Sequence, residues 1–517
     1  MSGRSAASTR SFRARPDSES ISLIAGGCIV ALALVGAAGR AHAKLFWHDE
    51  IFTITLAGLP LGEQWNALLR GVDAHPPLFY AITRLCYRLA GDGHIAMRLP
   101  GMIGVMIGAL SAGVFVRRRY GSVAGVLGML LLLNSVSYTY AYEARPYGLV
   151  IGFSGLALVC WQAAADSVNR RGRWLAGMAL ALAAAAACHY YAVLLLAALV
   201  LAEATRCIRS RRTDWPMWIA LSAPVVPLTI FLPFINIIRS FATGFFSPPR
   251  LRTVVDLYQS AMADLAVPFM ALMGVSAVAL AVSRAPNDRD RKSIAAPHEW
   301  ILATALLALP LIAYVSGFVT GGFVPRYSIQ WTLGFSIIVP FVVASLRGTG
   351  RVVLMSAAAV LLLWTAGRQA SSARWLLRDR PAIASVYPSL LSRADQDLPI
   401  VVTHSHVFLV LVHYSPQLAG RLFYLSKSQG PDAILDLAYR DFKALNRYQP
   451  LGLEELDAFL GQHRRFLVYG PTPTWVTTQL LHAGARLVLV GQDNGETPFA
   501  MTLPGPSSLF EASFDGR

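Results

Sequence analysis

The sequence predicts a polytopic α-helical membrane protein that carries a small C-terminal α/β domain outside the bilayer, and three observations predict it. Apolar windows long enough to cross a hydrocarbon core recur through the first two-thirds of the chain. The connections between them are basic at every second position, the pattern that separates a cytoplasmic from a noncytoplasmic side. From about Gln369 the composition changes to that of a soluble domain. The overall balance agrees, because 55% hydrophobic and 14% charged residues with a positive mean hydropathy depart from the soluble norm.

Each apolar window of about 17–25 residues crosses as a helix, since a helix satisfies its own backbone in lipid. The predicted spans are 21–43, 95–116, 122–140, 147–166, 173–188, 190–206, 215–238, 259–283, 299–320, 327–346 and 351–368, about 11 in all. Residues 1–20, polar and basic, read as a disordered cytoplasmic N-terminus. The run 21–43 is longer than a signal-peptide core, so it is an uncleaved first helix. The basic clusters are Arg4, Arg10, Arg13 and Arg15; Arg117, Arg118 and Arg119; Arg170, Arg171 and Arg173; Arg206, Arg209, Arg211 and Arg212; Arg284, Arg289, Arg291 and Lys292; and Arg347 with Arg351. All fall on one side, which is the cytoplasm. The opposite face receives the first loop, 44–94, the connections 138–147, 189–190, 239–258 and 320–327, and the tail.

The organisation is thus a transmembrane domain, 21–368, followed by an extracytoplasmic domain, 369–517. In the tail, LPIVVTHSHVFLVLVHY and RRFLVYG read as buried strands, TPTWVTTQLLHAGA as a helix and RLVLVGQ as a strand.

Several functions are disfavoured. The formal charge of +16 lies in short loops between apolar stretches, without the aromatic interleaving of a nucleic-acid groove. The five cysteines show no CxxC and no metal spacing. His404, His406 and His413 lack an acidic partner in sequence, so no metal is expected and a divalent cation has no support. Asp288-Arg289-Asp290 imitates an acid-x-acid signature but sits in a basic loop away from the other candidates. No segment repeats an earlier one, which argues against a transporter or flippase of a lipid-linked intermediate, the main alternative. A scaffold that merely displays the tail leaves the spaced acids unexplained.

Three noncytoplasmic connections carry the chemistry: Asp49, Glu50, Asp73 and His75; then Tyr142-Glu143-Ala144-Arg145-Pro146-Tyr147; then Pro325-Arg326-Tyr327. Topology brings them to one face, combining carboxylates for base work with cations for an anionic ligand. Plainer readings stand beside this one. Asp49-Glu50 suits a wet loop or helix N-terminus, Glu143 and Arg145 a structural ion pair, Arg326 a snorkelling cation, and Asp73 and His75 turn positions.

FWHDE at 46–50, DAHPPLFY at 73–80, MRLPG at 97–101 and YEARPYGL at 142–149 together resemble the bacterial relatives of protein O-mannosyltransferases and lipid A aminoarabinose transferases, which are C-type membrane glycosyltransferases. The resemblance covers about the first 150 residues well and the later spans in layout. It implies a C-type glycosyltransferase fold whose first external loop forms amphipathic helices, and a polyprenyl-phosphate-linked sugar as donor. The family's first-loop acid falls on Asp49, the general base, with Glu50 beside it, and the second-loop acid on Glu143. His75 stands where some relatives carry Lys. With Arg145 and Arg326 it is expected to hold the donor phosphate, and Asp73, Tyr80, Tyr142, Tyr147 and Tyr327 to line the substrate site. The expected partners are that donor, a hydroxyl acceptor (lipid A, an envelope glycan or a protein) and the lipid bilayer, in a bacterial cytoplasmic membrane.

Overall fold

The computed structural model describes residues 16–167, 169–241, 247–263, 265–282, 295–346, 350–393, 397–426, 437–496, 499 and 506–514. Arg4, Arg10, Arg13, Arg15, the Asp288-Arg289-Asp290 loop and Arg347 lie outside them.

The membrane domain opens with α1 (Pro16–Ala43), which begins inside the segment expected to be disordered. The first loop then folds as α2 (His48–Gly58), α3 (Leu61–Leu69) and α4 (Pro77–Ala90), the helical loop that the resemblance implied. Prolines at positions 60 and 76 punctuate it, each closing an extended connection immediately before a helix. The bundle continues through α5 (His94–Tyr120), α6 (Ser122–Leu133), α7 (Tyr147–Asp166), α8 (Arg171–Cys188), α9 (Leu195–Ser210), α10 (Trp215–Leu221), α11 (Val225–Ile230), α12 (Leu232–Phe241), α13 (Leu251–Ala263), α14 (Ala266–Val282), α15 (Pro297–Leu307), α16 (Leu309–Thr320), α17 (Trp331–Ser345) and α18 (Gly350–Ala373).

Each of the eleven predicted windows falls on one or more helices, with breaks inside several, as at Asn134–Ser135, Ser222–Pro224 and Ala308. Among the described residues, five helices are long and apolar enough to span a bilayer alone, and three bent pairs, each taken as one span, bring the number to eight. The bend between α15 and α16, 52°, has Pro310 just beyond the break, where its missing N–H opens the ladder. After α6 the chain turns by 65° into a 3₁₀ helix, Val136–Tyr142. That turn delivers Glu143 and Arg145 beside the first loop.

Small residues set a close helix contact. Gly101, Gly104 and Gly108 of α5 face Gly148, Gly152 and Gly155 of α7, spaced to share one helix face. A Cβ at Gly104 would lie 2.3 Å from the Gly148 carbonyl oxygen, so the backbones meet where no larger residue fits.

The tail contains α19 (Ile383–Val386), α20 (Pro388–Leu391), β1 (Ile400–Val402), α21 (Ser405–Tyr414), β2 (Leu422–Ser426), α22 (Leu437–Leu445), β3 (Leu453–Glu455), α23 (Leu456–Gln462), β4 (Arg465–Gly470), α24 (Trp475–His482), β5 (Arg486–Asp493) and β6 (Ser507–Ser513). The sheet order is β3-β2-β1-β4-β6-β5, parallel across the first four strands, with β6 antiparallel to β4 and β5. Alternation along β1 explains its two-sided burial. Ile400 and Val402 join the core that contains α21 and α22, whereas Val401 joins that of α23 and α24.

One tail assignment needs correction. LPIVVTHSHVFLVLVHY is not one strand: only Ile400–Val402 is, and Ser405–Tyr414 is a helix whose N-cap is His404. A continuous apolar run has no period, so it does not separate a buried strand from a buried helix.

Candidate active site

The loop acids sit side by side at the start of α2, and the helix sends them to different places, since neighbours lie about 100° apart around the axis. Glu50 turns inward and is 0% exposed. Its two oxygens accept from Arg98 Nε and Nη2, both at 2.7 Å, and Oε1 also accepts from the Ala144 backbone N–H at 2.7 Å. Arg98 spends its remaining donors on the carbonyls of Ala41 (2.7 Å), Lys44 (2.8 Å) and Leu45 (3.1 Å). Lys44 Nζ donates to Glu143 Oε1 at 2.7 Å and lies 4.0 Å from Glu50 Oε2. This buried group of two acids and two bases ties α1, α2, α5 and the second loop together. Lys44 and Arg98 were not among the predicted site residues, although Lys44 opens the first loop and Arg98 falls in the MRLPG stretch. Their signal was a cation at each edge of an apolar span with acids nearby.

Asp49 turns the other way and keeps 18% of its side chain exposed. Oδ2 lies 3.4 Å from Arg326 Nη2 and 3.8 Å from Arg145 Nη2, and Oδ1 lies 3.1 Å from His48 Nδ1. Arg145 also donates to Asp73 Oδ2 at 2.9 Å, to the Asp49 carbonyl at 3.0 Å and to His75 Nε2 at 2.6 Å. Arg326 Nε donates to the Tyr147 hydroxyl at 3.0 Å. Three connections distant in sequence thus meet around one carboxylate. His189, missed by the sequence reading, packs its ring 4.9 Å from His75, 5.1 Å from Tyr147 and 5.3 Å from Tyr327. Tyr80 is buried beside Asp73. Tyr142 stands apart, with its hydroxyl accepting from Arg40 at 3.4 Å and Lys44 5.8 Å from its ring.

The electrostatics separate the acids further. Burial opposes ionisation of Asp49, but Arg145, the His48 hydrogen bond and Arg326 outweigh it and hold the carboxyl far below its ordinary range. Asp73 is also lowered, with Arg145 overcoming burial. For Glu50, Arg98 and Lys44 overcome burial and hold it low, whereas burial and the Glu50 charge push Glu143 up despite Lys44. Burial and Arg145 bring His75 down to about 4, so its ring is neutral and its Nε2 accepts from the guanidinium. Among the described residues, no group of three or more His, Cys, Asp or Glu side chains is arranged to hold a metal ion.

The tail domain sits on this loop. The Phe46 N–H donates to the Tyr414 hydroxyl at 2.7 Å, and Tyr414 lies 2.9 Å from His94 Nε2. His94 Nδ1 in turn meets the Lys44 carbonyl at 2.8 Å. His406 places its ring 4.6 Å from that of His48. In sequence His406 appeared to lie in a strand with no acid nearby. The helix start and the domain contact bring it next to the His48–Asp49 pair.

A bent-helix bundle, a helical first loop bearing a paired acid, and an α/β domain seated on that loop define a membrane protein of the C-type glycosyltransferase fold. Residues 74–237 match the family described as dolichyl-phosphate-mannose-protein mannosyltransferase, in keeping with the resemblance carried by the motifs. The fold is similar to that of ArnT from Cupriavidus metallidurans in the apo state, at 13% identity and a TM-score of 0.57, covering 96% of this chain and 98% of that one. Against the same protein bound to undecaprenyl phosphate, the identity is 14% and the TM-score 0.53, with 94% and 97% covered. The similarity of fold therefore reaches through the tail, beyond the 150 residues that the motifs covered. No curated protein matches the chain.

Proposed function

We propose that the protein moves a sugar from a polyprenyl-phosphate carrier to a hydroxyl acceptor at the outer face of the bacterial cytoplasmic membrane, with inversion at the sugar carbon. The observation that carries this reading is the pairing of Asp49 with both Arg145 and Arg326, a carboxylate and two guanidiniums at one partly open point. A glycosyl phosphate diester needs that combination. Its leaving group departs as a phosphate monoester, whose second pKa near ~6 makes a protonated acid unnecessary. Arg145 and Arg326 take up the charge gained by the phosphate, with His75 adding an uncharged contact. Asp49 is the carboxylate on which activation of the acceptor depends. Asp73 and Tyr147 hold the two guanidiniums, while Tyr80 and Tyr327 line the donor side. Glu50 and Glu143 serve through position, fixing the loop against the bundle.

A family match to mannosyltransferases that use a dolichyl phosphate donor, and a fold shared with an ArnT solved with undecaprenyl phosphate, support a lipid-phosphate donor of this class. The test is transfer of radiolabelled sugar from a panel of polyprenyl-phosphate donors by proteoliposomes of the wild type and of Asp49→Asn. Turnover with at least one donor, lost in the variant, is expected; no turnover with any donor rejects the reading.

A further inference from the structure

The base that meets the acceptor hydroxyl need not be a carboxylate, because Asp49 has little left to offer. One oxygen faces two guanidiniums and the other His48, and a carboxylate so strongly held is a weak base. Its neighbour has a free nitrogen. An ionised carboxylate only accepts, so His48 Nδ1 carries the proton and donates to Asp49 at 3.1 Å. With Nδ1 as the donor, the tautomer selected is the one whose Nε2 is an acceptor. Nε2 is buried without a partner, and so is Trp47 Nε1, a donor, on the residue before. Two orphaned polar atoms, one of each kind, cost about 1–3 kcal/mol apiece. A sugar hydroxyl, both donor and acceptor, matches them chemically.

The tail domain covers this pair. His406 lies 4.6 Å from the His48 ring and 6.0 Å from the Trp47 ring, and Phe442 lies 5.7 Å from His48. His404 and His406 follow β1, where the parallel strand order reverses between β1 and β4. In sheets of this kind ligands bind outside the carboxyl ends of the strands at that reversal. Here that edge is laid on the first loop, at the seam between α2 and α21.

Resting on the transferase reading, we infer that His48 is the general base, that Asp49 is its orienting carboxylate, and that Trp47, His406 and the seam around them form the subsite for a hydroxyl-bearing acceptor. In the step, His48 Nε2 takes the hydroxyl proton and the acceptor oxygen bonds to the anomeric carbon. The bond from that carbon to the phosphate oxygen breaks, its electron pair leaving with the polyprenyl phosphate. The imidazolium is stabilised by Asp49 and later loses its proton to water.

His48→Gln keeps the size and a donor toward Asp49 but removes the base. In proteoliposomes it is expected to lower kcat by about 10²–10⁴-fold with the donor KM unchanged. The other titratable groups near His48 are Asp49, His404, His406 and Asp441, with His406 held down to about 4 by burial. Thermal stabilisation of the variant by undecaprenyl phosphate alone, equal to that of the wild type, shows that it is folded with its donor site intact. A His48→Gln enzyme with the wild-type rate overturns the inference and leaves the transferase reading standing. A variant that is inactive and also loses stabilisation by the lipid phosphate overturns it in favour of a structural role. Absence of transfer by the wild type overturns both.

Discussion

Arg98 and Glu50 form a two-pronged ion pair, with both bonds at 2.7 Å and neither side chain exposed, between the second turn of α5 and the first turn of α2. The arrangement fixes the axial rotation of α2 and thereby the direction in which Asp49 points. Removing one member of such a pair leaves an uncompensated buried charge, at a cost of about 3–5 kcal/mol. Arg98→Met is therefore expected to lower thermal stability in detergent by that amount and to abolish transfer. The double variant Arg98→Met/Glu50→Leu is expected to regain much of the stability, which a double-mutant cycle will measure. A cycle showing simple additivity would contradict the pairing.

The two arginines at Asp49 are exposed to different degrees, 5% for Arg145 and 29% for Arg326, and this divides their roles. Arg145 is locked between Asp73 and His75, whereas Arg326, held by Tyr147 and Asp49, is the more exposed of the two and the one better placed to meet an incoming phosphate. Arg326→Ala is expected to raise the donor KM at least tenfold with little loss of stability, and Arg326→Lys to recover only part, since an ammonium lacks the planar fork. Arg145→Ala is expected to lower stability as well as activity. Steady-state kinetics beside thermal melts separate the two; equal destabilisation by both would refute the division.

The fold was legible because a span needs only length and apolarity. Among the described residues, the five helices and three bent pairs that meet that test each match a predicted window. The site was half legible. FWHDE, YEARPYG and PRY named Asp49, Arg145 and Arg326, but adjacency in sequence suggested one role for Asp49 and Glu50 where helix geometry gives two. Lys44 and Arg98 stayed hidden because a cation at the edge of a span is usually read as an anchor, and its buried partner is known only once helices pack. His406 stayed hidden because an unbroken apolar run conceals whether a helix or a strand carries it.

Acid should loosen the site in a defined order. A histidine held at about 4 in the folded chain, against an ordinary value near ~6.5, binds its proton more readily when unfolded. The stability it contributes is complete above ~6.5 and is lost as pH falls toward 4. His75 and His406 both behave so, and Asp49 and Asp73, also lowered, follow at more acidic pH. Melting temperature is expected to decline between pH 6.5 and 4, by an amount reduced in His75→Asn. A decline of the same size in that variant would show that His75 does not carry it.

The glycine seam between α5 and α7 supports the site from beneath, because it also seats the segment that carries Glu143. A Cβ at Gly101 would lie 2.5 Å from the Tyr140 carbonyl oxygen and 2.9 Å from that of Glu143. Neither oxygen is the end of a flexible side chain, so the backbone itself must shift. Gly101→Ala is expected to destabilise the protein by about 1–3 kcal/mol, in the range of overpacking, and to cut transfer by displacing Glu143 from Lys44. Gly104→Ala, opposed by the Gly148 carbonyl, is expected to destabilise at least as much. Gly172, in α8 with nothing within 4 Å, provides the contrast. Alanine there removes only backbone freedom from a helix, so Gly172→Ala is expected to leave activity unchanged and to stabilise by about 0.5–1 kcal/mol. Thermal melts and transfer rates of the three variants check this, and indifference to alanine at Gly101 would show that the seam is looser than the contact distances require.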